Sequence, residues 1–278
     1  MRTIVSIVLL VVGMQVYAEP EITGDVIYGR KDGMALTYDV YRPDGANGAG
    51  VIYMVSGGWF SGYIPPQMAM TMFKPLLDEG FTVVAVQHGS APLYKVPDAA
   101  SDVRAAVRHI KANAATYGLD PDRLGVYGGS AGGHLSLLLG LNPEAQPATS
   151  EGFRGPRYLA DASTDASLAA VVALFPPVDL RDIVGPNERF PALDFAVEEA
   201  AAISPLLFVD KTDPPIKLIH GDADELVPLT TSTTIKAALD KAGVKNDLLV
   251  LTGAGHGFQG EDNDRANAAM VAWFKEHL

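Results

Sequence analysis

Six short apolar runs, separated by longer segments with a helical pattern, constrain the fold of this 278-residue chain more than any other feature. Each run is apolar almost throughout, which is typical of a strand buried on both faces. Strands of this kind that alternate with helices form a parallel sheet, which the helices cover on both sides. The runs are GVIYMVS, FTVVAVQ, RLGVYGG, LAAVVALF, IKLIHG and DLLVLTG.

Two further strands are predicted before these runs, because DVIYGRKDGMALTYDVYRP has the pattern of a hairpin that turns at Lys31-Asp32-Gly33. We therefore expect one α/β domain over residues 19–278, with a mostly parallel central sheet of about eight strands and helices on both faces. Two segments, Leu141–Ser167 and Leu180–Pro205, fit the alternation poorly, and residues 180–205 are a candidate short cap. Helices are predicted over Asp98–Tyr117, Ala131–Gly140, Thr230–Ala242 and Asp264–His277.

The first 18 residues predict a signal peptide. A basic Arg2 precedes an apolar run from Ile4 to Val12, and Val16-Tyr17-Ala18 follows as a cleavage site. The run is too short to span a bilayer comfortably, so an uncleaved anchor is the less favoured alternative. We expect cleavage after Ala18, a secreted or periplasmic protein, and no stable membrane insertion after cleavage.

Charge and composition exclude several classes of partner and site. The formal net charge of −12 argues against nucleic acid or an anionic membrane surface as a partner. With no cysteine, the chain has no catalytic thiol, no cysteine-based zinc site and no disulfide. The adjacent acids in IHGDADELVP lack the spacing of an EF-hand, so no metal site is expected there. No organic cofactor is expected either. The sequence carries no signal for an oligomeric state.

The stretch GVYGGSAGGHLSLLLG, residues 125–140, predicts a nucleophile on a sharp turn between a strand and a helix. Ser130 stands in Gly-x-Ser-x-Gly between Gly128 and Gly132, where larger side chains would collide. The helix that begins there directs free backbone N–H groups at the site, and these favour a developing oxyanion. The alternative is a glycine-rich turn that binds phosphate or only packs tightly.

A general base is expected on the glycine-rich loop LTGAGHGFQG, which follows the last predicted strand. His256 on this loop can reach a distant serine and shuttle its proton, and Phe258 beside it is a candidate for substrate contact. His134 and His220 are expected to be structural. His88, near the carboxyl edge of the sheet, either lines the site or is a satisfied structural histidine.

The base needs a carboxylate to orient it, and IHGDADELVP offers Asp222, Asp224 and Glu225. Composition and spacing leave both Asp222 and Asp224 open. With either of them, the chain order is Ser…Asp…His, which is the order of the α/β-hydrolases.

The loop YMVSGGWFSG, after an early strand, predicts the second wall of an oxyanion site. Glycine lets backbone N–H groups approach a ligand oxygen closely. We expect the donors to be Gly58 or Trp59 together with Ala131. The aromatic side chains of Trp59, Phe60 and Tyr63 are predicted to contact substrate near the mouth of the site, and core packing is the alternative.

Four blocks together resemble the α/β-hydrolase superfamily. More narrowly, they resemble its bacterial carboxylesterases and feruloyl-esterase-like proteins. These proteins are related to the hormone-sensitive lipase group and to prolyl-oligopeptidase catalytic domains. SGGWFSG is similar to the family's His-Gly-Gly-Gly-Trp loop, and DPDRLGVYGGSAGGHLSLLL to its nucleophile block. ISPLLFVDKTDPPIKLIHGDADELVP resembles the acid block, and GAGHGF the histidine block.

This resemblance implies an α/β-hydrolase fold and a Ser130, His256, Asp224 triad, because the family's acid stands three residues before Val227 in its His-Gly-x-x-Asp-x-x-Val-Pro pattern. The implied activity is hydrolysis of short-chain acyl or aryl esters, which are small molecules, through an acyl-enzyme. The chain departs from the family at Ser56, where the family has histidine. The alternatives are a prolyl-oligopeptidase-like serine peptidase and a non-catalytic binding protein with a hydrolase scaffold.

Overall fold

The computed structural model describes residues 19–144 and 155–278, and the predicted signal peptide lies outside them. Nine strands occur in this described part of the chain. They are β1 (Glu21–Lys31), β2 (Met34–Arg42), β3 (Gly50–Met54), β4 (Thr82–Val86), β5 (Leu124–Gly129), β6 (Arg157–Tyr158), β7 (Ala170–Leu174), β8 (Ile216–Gly221) and β9 (Asn246–Leu251).

All nine strands form one sheet, in the order β6-β1-β2-β4-β3-β5-β7-β8-β9. The six strands from β4 to β9 in that order pair in parallel, and β1, β2 and β6 pair antiparallel at one edge. The mostly parallel sheet is thus confirmed, with one strand more than the eight that the six apolar runs and the hairpin together predict. The additional strand is β6, which has only two residues and therefore no periodicity to reveal it.

Helices cover both faces of the sheet, as predicted. Neighbouring residues of β4 alternate between two apolar cores: Val84 belongs to the core that contains residues of α2, α3 and α4, whereas Val83 belongs to the core that contains residues of α1 and α5. The continuous apolar runs are explained by this burial on both sides. The helices are α1 (Pro66–Leu77), α2 (Val96–Ala112), α3 (Ala131–Leu141), α4 (Thr230–Ala242) and α5 (Gly260–His277).

Residues 180–205, the candidate cap, contain two short 3-10 helices, Pro191–Leu193 and Val197–Ile203. Two hydrogen bonds attach the segment to the rest of the domain, one at the start of the first 3-10 helix and one at the end of the second. Lys95 donates a hydrogen bond to the carbonyl of Pro191 (2.8 Å), and His134 donates one to the carbonyl of Ile203 (2.8 Å). The Phe190 ring lies against Gly58, so the segment borders the loop that was predicted to hold the oxyanion.

Within residues 19–144 and 155–278, no helix has the length and apolar character that crossing a membrane requires.

Candidate active site

The predicted nucleophile lies on a strained turn between β5 and α3. Ser130 has φ 54° and ψ −119°, a backbone conformation that residues other than glycine rarely adopt. Two backbone hydrogen bonds hold it there: Ser130 donates to Leu174 (2.9 Å), and its carbonyl accepts from His134 (2.9 Å). Strain of this kind persists only where the surrounding structure enforces it.

The two glycines that flank the serine allow this turn to close. A Cβ on Gly128 would lie 2.6 Å from the backbone of Gly132. A Cβ on Gly132 would lie 2.9 Å from the carbonyl of Met54 in β3. The turn therefore packs backbone against backbone, and neither position has room for a side chain.

Replacing Gly128 by alanine is expected to lower the free energy of unfolding by about 1–3 kcal/mol, because the methyl group must displace backbone atoms. Urea denaturation monitored by circular dichroism measures this change. Gly62→Ala is the matched control, since a Cβ at Gly62 would have no heavy atom within 4 Å. Equal urea midpoints for the two variants would contradict the close packing of the turn.

Three side chains from different parts of the sequence meet at the carboxyl edge of the sheet. The Nε2 atom of His256 lies 2.9 Å from Ser130 Oγ, and its Nδ1 atom lies 2.8 Å from Asp224 Oδ2. Ser130 follows β5, Asp224 follows β8 and His256 follows β9. The structure thus brings together the three residues selected from the sequence, in an unbroken line of hydrogen bonds.

The surroundings of Asp224 keep it ionised. Burial by itself raises the pKa of Asp224, but the backbone N–H groups of Leu226 and Val227, both 2.9 Å from Oδ1, and the His256 ring outweigh that effect and hold the pKa below its usual value. Asp222 is exposed and accepts instead from the N–H of Gly253 (2.6 Å). These contacts distinguish the two aspartates, which the spacing alone left equivalent.

The acid loop and the histidine loop touch each other directly. A Cβ on Gly221 would collide with the carbonyl of Ala254, and that carbonyl accepts from the N–H of Ala223 (3.0 Å). His220 supports the acid loop from below: it donates to the carbonyl of Val227 (2.8 Å) and accepts from Ser232 (2.7 Å). The expected structural role of His220 agrees with these contacts.

Sequence reasoning missed Phe175, which follows β7 and has φ 38°. Its ring lies 4.7 Å from the ring of His256 and 5.1 Å from that of Phe258, both at steep angles. Phe175 thus forms one wall beside the imidazole, while Phe258 packs behind it. The position of Phe175 at the end of a parallel strand was the available signal, but an apolar side chain did not suggest chemistry.

The loop between β3 and α1 forms a tight turn, residues Gly57–Phe60, which we call the oxyanion turn. Gly57 and Phe60 exchange two backbone hydrogen bonds of 3.0 Å, and Gly58 and Trp59 between them have φ values of 58° and 60°. Positive φ at both central positions is the mark of a type I′ turn. Within the described residues, the N–H groups of Gly58, Trp59 and Ala131 have no hydrogen-bond acceptor.

The Trp59 side chain does not lie at the mouth of the site, contrary to the prediction. It is 4% exposed, its ring packs edge-on against His134, and its Nε1 atom donates to His134 Nδ1 (3.4 Å). The positive φ of Trp59 turns its side chain inward while its N–H stays free. Phe60 and Tyr63 are exposed, at 43% and 69%, and their contact with substrate stays a prediction.

His88 is also unavailable to substrate. The structure fits the alternative interpretation, in which His88 is a structural histidine with both ring nitrogens hydrogen-bonded. The residue is 5% exposed. Its Nδ1 atom donates to the carbonyl of Gly89 (2.9 Å), and its Nε2 atom accepts from the hydroxyl of Ser56 (2.8 Å). Both ring nitrogens are therefore occupied by protein.

Three buried histidines are expected to make the folded protein less stable in acid. Burial lowers the pKa of His88, His134 and His220, in His134 to about 4, with Arg104 nearby contributing. An unfolded histidine titrates near pKa ~6.5, so below that pH the unfolded chain binds protons that the folded chain does not. The stabilising effect of neutral burial is thus complete above about pH 6.5 and is lost as the pH falls through the folded pKa values.

We expect the free energy of unfolding to fall between pH 6.5 and 4.5, and His134→Gln to make the fall shallower by up to about 1.4 kcal/mol per pH unit, the effect of one proton. Urea unfolding at several pH values measures both slopes. The slope is compared rather than the absolute stability, because glutamine also alters the bonds to Trp59 and Ile203. The same pH dependence of the free energy of unfolding in the wild type and in His134→Gln would contradict the lowered pKa of His134.

The chain is similar to known proteins over the region that contains most of the candidate site. A family model described as BD-FAE matches residues 38–239, which include Ser130 and Asp224. Esterase LipQ of Mycobacterium tuberculosis is 31% identical over 235 residues, which are 80% of this chain and 53% of LipQ. The chain spans about half the length of the curated relatives it matches in this way.

Two solved structures are similar over nearly the whole chain. One is a truncated carbohydrate esterase from gut microbiota, with 32% identity and a TM-score of 0.74, covering 95% of this chain and 98% of the other. The second is an esterase of the planctomycete Thermogutta terrifontis with propionate bound, with 25% identity and a TM-score of 0.75, covering 93% and 94%.

Proposed function

Because this chain belongs to the BD-FAE family and has an α/β-hydrolase fold, we propose that it is a serine carboxylic ester hydrolase. The observation that carries the proposal is the line of hydrogen bonds from Ser130 through His256 to Asp224. A serine hydroxyl is a weak nucleophile until a neighbouring base takes its proton, and this line supplies that base together with the group that orients it.

In the first step, Ser130 Oγ attacks the ester carbonyl carbon while His256 Nε2 takes the hydroxyl proton. Asp224 accepts the Nδ1–H of His256, which fixes the tautomer and stabilises the imidazolium that forms. A carboxylate that remains ionised is required for this role, and the backbone donors to Asp224 provide it. The Phe175 ring limits how far the imidazole can turn away.

The negative charge that develops on the carbonyl oxygen is stabilised by backbone donors. Ala131 begins α3, so its N–H points out of the helix end, where the helix dipole favours negative charge. Gly58 or Trp59 on the oxyanion turn supplies the opposing N–H. Removal of one such donor typically costs about 10²–10³ in rate.

The tetrahedral intermediate collapses when His256 gives its proton to the departing alkoxide, which leaves the acyl group on Ser130. Water then attacks the acyl carbon, His256 accepts the proton of the water, and the carboxylic acid departs with Ser130 reprotonated. All protons in this cycle move through one imidazole.

We further propose short-chain acyl or aryl esters as substrates. The similarity to a carbohydrate esterase and to an esterase solved with propionate supports this class. The test is a panel of p-nitrophenyl and sugar esters in which acyl length and alcohol size vary independently. Turnover that is highest for acetate to butyrate supports the proposal. A folded protein that hydrolyses no ester and does not react with a fluorophosphonate probe would refute it.

Export of the protein is a separate proposal, which rests on Arg2, the apolar run and the Ala18 site in the sequence. Expression of the full chain in a Gram-negative host, followed by intact-mass measurement of the periplasmic fraction, tests it. A chain that starts at Glu19 is expected, and a protein that keeps Met1 in the cytoplasm would contradict it.

A further inference from the structure

We propose that Ser56 and His88 act together as positioning residues that hold the oxyanion turn in register with α3; the inference rests on the proposed ester hydrolase function. The sequence suggested His88 for substrate contact, and no part of the reaction described above uses either side chain. Their hydrogen bond instead joins the residue just before the oxyanion turn to the segment that follows β4.

The segment 88–91, which we call the platform, lies under the oxyanion turn. Four hydrogen bonds join the platform to this part of the β3–α1 loop. One reaches the turn itself at Trp59, one reaches Ser56 before the turn, and two reach Ser61 after it. The pairs are Ala91 N–H to Trp59 carbonyl (3.1 Å), His88 N–H to Ser61 Oγ (3.1 Å), Ser56 Oγ to His88 Nε2 (2.8 Å) and Ser61 N–H to Ser90 Oγ (3.0 Å).

The platform itself is anchored to a buried ion pair. The N–H of Gly89 donates to Asp102 (2.9 Å), which is fully buried and also accepts from Lys31 (3.1 Å) and Tyr158 (2.7 Å). A Cβ on Gly89 would lie 2.6 Å from the Tyr94 ring, so the Tyr94 side chain packs directly against the backbone of the segment. A rigid support therefore stands behind the His88 ring.

Ser56 connects this support to the nucleophile helix. Its carbonyl accepts from the N–H of Gly132 (3.1 Å), next to Ala131, while its hydroxyl is bound to His88. The Gly89 carbonyl requires a proton on His88 Nδ1, and burial keeps the ring neutral by lowering its pKa, so Nε2 can only accept. The hydroxyl consequently has one fixed direction, and the strand end that leads into the turn is held from both sides.

This geometry matters because oxyanion donors act only within about 2.7–3.1 Å of the developing charge. Donors on two separate elements keep that spacing only if the elements are fixed to each other. Ser56 joins the platform to α3 through two bonds, one from its hydroxyl to His88 and one from the Gly132 N–H to its carbonyl. Loss of the hydroxyl removes the first bond and leaves His88 Nε2 as a buried acceptor without a partner. The transition state loses stabilisation, while ground-state binding of the ester is little changed.

The test compares Ser56→Ala with Ser56→Thr, which keeps a hydroxyl. We expect kcat to fall about 10–100-fold in Ser56→Ala with KM changed less than about threefold, and Ser56→Thr to recover most of the loss. The inhibition constant of a trifluoromethyl ketone, which forms an oxyanion on the serine, should rise by the same factor as kcat/KM falls. His88→Phe is the second variant, and it should add less than about threefold to Ser56→Ala, because the bond is already absent.

Tyr38→Phe serves as the control, since it removes a hydroxyl that is bound to another histidine, His109, away from the site (2.9 Å). A drop in kcat of the same size in Tyr38→Phe would show general destabilisation and overturn the inference. Full kcat in Ser56→Ala with an active wild type would overturn the inference alone. A wild type that hydrolyses no ester would overturn the proposed function and this inference with it.

Discussion

Ser130→Ala is expected to lower kcat by about 10⁵–10⁶-fold while the protein stays folded, because alanine removes the oxygen that forms the covalent bond to the acyl carbon. The hydroxyl also accounts for the bond to His256, so the imidazole loses its partner at the same time. Any rate that remains comes from the oxyanion donors and from substrate binding. Ester hydrolysis with p-nitrophenyl acetate and labelling by a fluorophosphonate probe measure the loss.

Ser136→Ala is the matched control for this variant. Ser136 lies on the same helix, and its hydroxyl bonds to the carbonyl of Gly132 (2.8 Å), away from the reacting atoms. This control should keep its activity and its labelling. Retention of more than about a hundredth of the wild-type kcat in Ser130→Ala would refute the nucleophile assignment, since a folded protein without the attacking oxygen has no other route through an acyl-enzyme.

Asp224→Asn is expected to lower kcat by about 10³–10⁴-fold, because the amide no longer stabilises the imidazolium and permits the wrong tautomer of His256. Asp222→Asn in the same loop should cost less than about tenfold. The asparagine side-chain oxygen can still accept the N–H of Gly253, so the shape of the histidine loop is preserved. Steady-state kinetics at pH 8 with both variants measure the difference.

The comparison is sharp because the two aspartates are separated by one residue and undergo the same chemical change. A larger loss in Asp222→Asn than in Asp224→Asn would contradict the triad. Circular dichroism and urea midpoints accompany the kinetics, since Asp224 also holds the backbone of Leu226 and Val227. The asparagine keeps an oxygen for those two donors, so the loop is expected to stay in place.

The sheet and the main helices were predictable because each arises from a local pattern. The six apolar runs gave the parallel strands, and the predicted helix Thr230–Ala242 has the same bounds in the structure. The helix predicted over Asp98–Tyr117 instead ends at Ala112, and a short 3-10 turn covers the remainder. Strand β6 was beyond reach, because its two residues are ordered by pairing with β1 and not by their own sequence.

Site residues that stand in a recognisable sequence motif could be predicted. Residues whose role depends on where the side chain points after folding could not. Ser130 and His256 stand in glycine-rich loops after strands, which the sequence shows. The burial of Trp59 depends on the sign of its φ angle, and the occupation of His88 depends on Ser56, which lies 32 residues away. Spacing alone likewise left Asp222 and Asp224 equivalent, since only folding reveals which carboxylate receives the Leu226 and Val227 N–H groups.

The contact between the Gly221 and Ala254 backbones also limits which positions could be varied in directed evolution of the proposed ester hydrolase activity. Two loops that press together without side chains tolerate no added bulk, so mutagenic libraries should leave both positions intact. Diversity is better placed at Phe190, whose ring lies against Gly58 but lies outside the oxyanion turn, and at the exposed Tyr63.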